Sequence, residues 1–207
     1  MKPSSILIKP LLAALAVAVS AMVAPGARAA SSDPAVSQID GFDRALLETM
    51  KAGRAAGPKG RYARLAPAVE HAFDLPLMTR FAVGPAWTTM STTDHQALIA
   101  AFTRLSIASY AHNFDSFSGE RFTVDPASQV RGADRIVQSH IVPAHGAPVA
   151  LTYRMRSDAG AWKIVDVYYG AISQLTTRRS DFAAPLAAGG AKGLAAHLEA
   201  LSDKLLR

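Results

Sequence analysis

Taking every second residue from Val149 separates two rows, Val149, Leu151, Tyr153 and Met155 on one side and Ala150, Thr152, Arg154 and Arg156 on the other. Such a period of two marks a strand with one buried face. Ser157-Asp158-Ala159-Gly160 supplies a turn, because Asp bonds back to the local backbone and Gly tolerates positive φ. The return run from Trp162 to Tyr169 puts Trp162, Ile164, Asp166 and Tyr168 on one face and Lys163, Val165, Val167 and Tyr169 on the other. Both faces are mostly apolar, so both need cover. Asp166 is the odd member, a carboxylate that requires a donor or a solvated space beside it.

Upstream of this hairpin the period is helical. Asp33-Pro34 forms an N-cap with proline at the first helical position, and Val36, Ile39, Phe42, Leu46 and Met50 then predict a helix to about Lys51. Gly53, Gly57-Pro58 and Gly60 interrupt the chain before a second helix marked by Tyr62, Leu65, Val69 and Phe73. A third starts at Asp74, carries Leu77, Met78 and Phe81, and stops at Gly84-Pro85. Ser91 to Asp94 resembles a capping box and opens the longest helix, whose stripe holds Leu98, Phe102, Leu105, Ser109 and His112, with Ile99, Ser106 and Asn113 beside it. Small polar residues within that stripe fit either ordinary core or the wall of a cavity.

Beyond Ser118-Gly119 the period returns to two, through Phe122 and Val124 and then Ile136 to Val142, before the hairpin. Ser173 caps a helix through Leu175 and Phe182; Pro185 and Gly189-Gly190 interrupt it, and a last helix carries Leu194, Leu198, Leu201 and Leu205. This order predicts an α+β domain, a curved antiparallel sheet of about four strands covered by several helices with an interior apolar pocket.

Composition adds a destination. Lys2 and Lys9, an apolar run from Leu11 to Val23 and the small-residue motif Ala27-Arg28-Ala29 predict a signal peptide over 1–29 and an exported single domain over 30–207. The run is short for a membrane span and nothing downstream equals it. With no cysteine, the chain has neither a disulfide nor the residue a lipoprotein anchor requires.

Of the formal charge of +6, Lys2, Lys9 and Arg28 supply three, leaving mild basicity for the exported part. Arg54, Lys59, Arg61 and Arg64, and later Arg178-Arg179, read as solvated faces rather than a nucleic-acid footprint, with an acidic partner surface or anionic headgroups as the alternative. His71, His95, His112, His140, His145 and His197 show no metal-ligand spacing, and neither a Gly-x-Ser-x-Gly elbow nor a phosphate-cradling glycine loop occurs. No metal and no catalytic set is therefore expected. One enzymatic arrangement is open, with Asp166 as a general base beside Tyr153 and Tyr168 in a steroid-isomerase-like cone. A structural or adaptor role in the envelope is the third class.

The leader, the segment Phe73-Asp74 to Met78-Thr79-Arg80 with Gly84 and Trp87, and the run Trp162 to Val167 leading into Ser173, Arg178-Arg179 and Phe182 together resemble the MlaC family. These are periplasmic auxiliary components of ABC lipid transporters, also known as toluene-tolerance proteins. Ala171-Ile172-Ser173 stands where members often carry Gly-Val-Ser. That departure, with Phe42 to Lys51 and Gly60-Arg61-Tyr62, is similar to the hopanoid-associated HpnM branch. The resemblance implies a shuttle that carries phospholipid or hopanoid, tails inside and headgroup at the mouth, with no cofactor beyond the bound lipid. Its implied partners are an inner-membrane transporter complex and an outer-membrane lipoprotein complex. The residues it implies as lining are Phe81, Trp87, Phe102, Tyr110, Tyr153, Trp162, Ile164, Tyr168, Ile172 and Leu175.

Overall fold

The side chain of Asp33 starts the first helix by accepting from the Ala35 amide at 3.0 Å, and α1 (Pro34–Ala52) follows. Its expected stripe, Val36, Ile39, Phe42, Leu46 and Met50, is buried. The structure is a computed structural model and describes residues 33–207, so the signal peptide predicted over 1–29 lies outside the described residues.

A short 3₁₀ turn leads into α2 (Gly57–Ala72), then α3 (Leu75–Val83), a second 3₁₀ turn over Gly84–Thr89, and α4 (Thr92–Asn113). Gly53 and Gly57, at φ 61° and 63°, break the chain as expected, while Pro58 and Gly60 belong to the first turn of α2, where proline lacks only an amide that would find no partner. Asp74 accepts from Leu77 N at 3.0 Å to begin α3. The capping box of α4 is complete, with Asp94 N donating to Ser91 Oγ at 3.1 Å and Ser91 N to Asp94 Oδ2 at 3.3 Å. Arg61 departs from the solvated face expected of it. It is buried and donates to the carbonyls of Ala111 at 2.7 Å and Gly53 at 3.2 Å, tying α2 to the last turn of α4.

Among the described residues, six strands form one antiparallel sheet: β1 (Arg121–Val124), β2 (Gln129–Arg131), β3 (Asp134–Val142), β4 (Val149–Asp158), β5 (Ala161–Tyr169) and β6 (Ile172–Ser173). The four expected strands are β1, β3, β4 and β5. The two additions are too short to show a period, β2 pairing with the start of β3 and β6 with the end of β5. The far edge of β5 is closed at Ile164, whose carbonyl accepts from Asp74 N at 2.9 Å. The last helical segment, α5 (Gln174–Leu205), continues through Pro185 but is broken at Gly190, whose φ of 60° and ψ of −154° are not helical, so the interruption expected at Gly189-Gly190 divides it into two helices.

One departure in β5 decides the rest. Arg154 pairs with Asp166 while Met155 pairs with Ile164, so Val165 is an extra residue, a β-bulge. Strict alternation from Trp162 therefore fails halfway along the strand. Ile164 faces the helices, but after the bulge it is Val167 and Tyr169, opposite Tyr153 and Leu151, that continue this face, while Asp166 and Tyr168 turn away. Asp166 is buried and accepts from Val167 N at 2.8 Å, Ser173 Oγ at 2.7 Å and Leu175 N at 3.1 Å, which fixes the entry to α5.

Hydrogen bonds to a charged acceptor contribute about 1.5–3 kcal/mol each at most, and their amides lose their partner when the acceptor goes. Asp166→Ala should lower stability by about 3 kcal/mol. Urea unfolding followed by circular dichroism measures it. A midpoint equal to the parent's would show that Asp166 does not hold the start of α5.

Candidate functional site

Between the helix-facing side of the sheet and helices α3, α4 and α5 lies a cavity of about 420 Å³. The sheet provides an apolar wall of Ile141, Val149, Leu151, Tyr153 and Val167, running out to Tyr169. Facing it, α4 presents Phe102, Ser106, Ser109, Tyr110 and Asn113 along one side. Phe73 and Met78 close the inner end, and Gln174, Leu175 and Arg178 from α5 stand near the opening. Depth follows burial: Phe73, Met78, Phe102 and Tyr153 are buried, whereas Asn113, Gln174 and Tyr169 are exposed.

The two serines sit in an apolar wall because each hydroxyl donates to its own helix, Ser106 to Phe102 O and Ser109 to Leu105 O, both at 2.8 Å. They keep the wall thin. Behind it, the Phe42 ring of α1 makes edge-to-face contacts with Phe73 at 5.2 Å, Tyr110 at 5.3 Å and Tyr153 at 6.4 Å, setting three lining aromatics at once.

Next to Phe42 on the chain, Asp43 is buried behind Tyr153. Burial pushes its carboxyl pKa up to about 7, although the hydrogen bond donated by Ser139 Oγ at 2.5 Å pulls the other way. Its other oxygen, Oδ1, and the Tyr153 hydroxyl make no well-formed hydrogen bond, although the two groups are close enough to act on each other. Burial, and then the neighbouring acid, also raises the phenol pKa of Tyr110, while Tyr153 feels burial and both of those groups. Nothing in the pattern around Asp43 singled it out, since its neighbours at helical spacing are ordinary core residues.

Of the residues the family resemblance implied, Phe102, Tyr110, Tyr153 and Leu175 line this cavity. The other six lie elsewhere. Ile164 is core, and Trp162 lies at the far end of the inner face under the Arg135 guanidinium, 5.1 Å from the ring centre. Trp87 stacks on His95 at 3.9 Å, and Phe81 is exposed on α3. Tyr168 turns outward after the bulge, and Ile172 is 61% exposed on β6, paired with Tyr169 outside the wall. The same bulge separates Asp166 and Tyr168 from Tyr153, so the isomerase-like trio is not assembled. Missed as lining residues by the sequence reading were Leu151, Val167 and the polar residues of α5, whereas for Ser106, Ser109 and Asn113 of α4 the sequence leaves core and cavity wall both open. The signal for the first of these was the Val149 alternation, and for the serines the polar interruptions of the α4 stripe.

The profile of the MlaC protein family matches residues 42–200, most of the chain. The chain belongs to the MlaC family. A solved structure with the same fold is that of a phospholipid-binding protein from Ralstonia solanacearum in complex with a phospholipid, at a TM-score of 0.73 and 22% identity, covering 84% of this chain and 99% of that one. No curated relative matches the sequence. Among the described residues of this MlaC-family chain, no helix is long and apolar enough to cross a membrane.

Asp43 gives a pH test of this site. Its folded pKa of about 7 exceeds the ordinary carboxyl value of 3.8, so the folded state holds the proton more tightly than the unfolded chain. Stability from this group is full below pH 4, falls as pH rises toward 7 and is level above, a difference of roughly 4 kcal/mol. Asp43→Asn should remove that slope, matching the parent near pH 4 and exceeding it at pH 8. Denaturant titrations of both proteins across this range check it, and parallel pH profiles would overturn the assignment.

Proposed function

We propose that this chain is a periplasmic lipid carrier that holds acyl tails in the cavity between α4 and the sheet and moves them between membranes. The observation that carries the reading is the apolar wall of Leu151, Val167, Phe102 and Leu175 around an open space in a member of a family with a phospholipid-bound structural relative. Each buried methylene contributes about 0.8 kcal/mol, so a tail of a dozen carbons gains roughly 10 kcal/mol before ordering costs. In this reading the cavity residues bind.

Export through the predicted leader accords with this role, and phospholipid is the cargo the reading assigns. A hopanoid would use the same apolar wall. The donor and acceptor are an inner-membrane transporter complex and an outer-membrane lipoprotein complex, which the exported chain meets in turn. Carrying is a binding function without cofactor or metal.

Mass spectrometry of organic extracts from the natively purified protein identifies the cargo. Phospholipid is the expected result, hopanoid would replace it as the cargo, and no lipid of either class in a folded protein would refute the carrier. Ser109→Trp places a large ring in the space while leaving core contacts in place. It should weaken fluorescent phospholipid binding at least tenfold, about 1.4 kcal/mol, with a melting temperature close to the parent's. Unchanged binding by the folded variant would move the lipid site elsewhere.

A further inference from the structure

Among the described residues that line the cavity, Arg178 alone carries a charge. It projects from the second turn of α5 beside the opening, about one third exposed. Its guanidinium lies 3.8 Å from Asp181 Oδ2, too far for a hydrogen bond, and that carboxylate is itself half exposed. Other arginines are held firmly: Arg154 and Arg156 each meet Asp134 at 2.6 Å, and Arg104 meets Asp203 at 2.7 Å. Arg178 is thus a cation kept at the mouth of an apolar space with its donors available.

The start of α5 does not compete for this role. Asp166 takes the Leu175 amide and Ser173 Oγ takes the Thr176 amide at 3.0 Å, so the positive end of the helix already faces a carboxylate. The exposed amides of Gln174 and Asn113 stand on the same rim, donors of the kind that accompany an oxyanion. Among the described residues no carboxylate lines the cavity to repel one.

Resting on the reading of the cavity as a lipid site, we propose that Arg178 makes it selective for amphiphiles whose polar end is a phosphodiester. The planar guanidinium forks onto two phosphate oxygens while the tails pass inward along Leu151 and Val167. A neutral polar end such as an alcohol or polyol offers it no counter-charge. Selectivity then comes from the mouth, and most of the affinity from the interior.

The test compares dioleoyl phosphatidylglycerol with dioleoylglycerol, which has the same tails and no phosphate, both offered in mixed detergent micelles to the delipidated exported chain. Native mass spectrometry reads the bound ratio. The parent should favour the phospholipid about tenfold, Arg178→Gln should bring the ratio near one by losing phospholipid alone, and Arg178→Lys should fall between. Equal preference in parent and Arg178→Gln overturns the proposal. If the two lipids bind the parent equally while inorganic phosphate raises its melting temperature and not that of Arg178→Gln, the site takes free phosphate and the headgroup role is lost. Retention of neither lipid by a folded parent removes the lipid reading itself, and this one with it. Melting curves of both variants confirm that each is folded.

Discussion

The extra residue at Val165 governs which side chains of β5 reach the helices. Without a bulge, Asp166 would point into the apolar face beside Tyr153, an ionised group among aromatics with no donor at hand. With it, Asp166 turns to the entry of α5, where two amides and the Ser173 hydroxyl satisfy it, and Val167 and Tyr169 take the inward places. A single insertion therefore yields both the apolar wall and the anchor of the helix that borders the opening. Bulges bend the strand that bears them, and this one lies midway along β5.

An apolar space must also be kept from collapsing. At about 24 cal/mol per Å³, the scale for cavities left by core truncation, an empty closed volume of about 420 Å³ forgoes roughly 10 kcal/mol. That is comparable with the whole stability of a domain. The opening relieves part of it by admitting solvent, and an apolar occupant relieves more. What resists closure is the framework: Phe42 holds three lining rings at edge-to-face distance, and Ser106 and Ser109 place short side chains where leucines would fill the gap.

Much of this was legible in the chain. The stripe of α1, the caps at Asp33, Asp74, Ser91 and Ser173, and the Val149 alternation depend on local chemistry, and local chemistry is what a pattern records. Tyr168 was misplaced because strand faces were counted through a bulge, which the apolar run Ile164-Val165 conceals: either parity buries a hydrophobe. Asp166, the one polar residue of that run, was the clue that the parity changes. Asp43 and Arg61 escaped for another reason. Their burial is created by partners about fifty or more residues away, Ser139 for the first and Ala111 O for the second, and no periodicity within one helix reports that.

The polar ties between elements are also distributed with a purpose for the proposed carrier. Arg61 joins α2 to the end of α4, Arg104 joins α4 to Glu199 and Asp203 of α5, and Asp134 gathers Arg154 and Arg156 on the outer side of the sheet. Each acts from outside the cavity. The helices are thus located by bonds that an occupant neither makes nor breaks, while the inner surface offers it mainly dispersion and burial, which carry no fixed direction. A tail entering or leaving along such a wall exchanges contact for contact without a hydrogen bond being lost, so cargo exchange requires no unfolding of the frame.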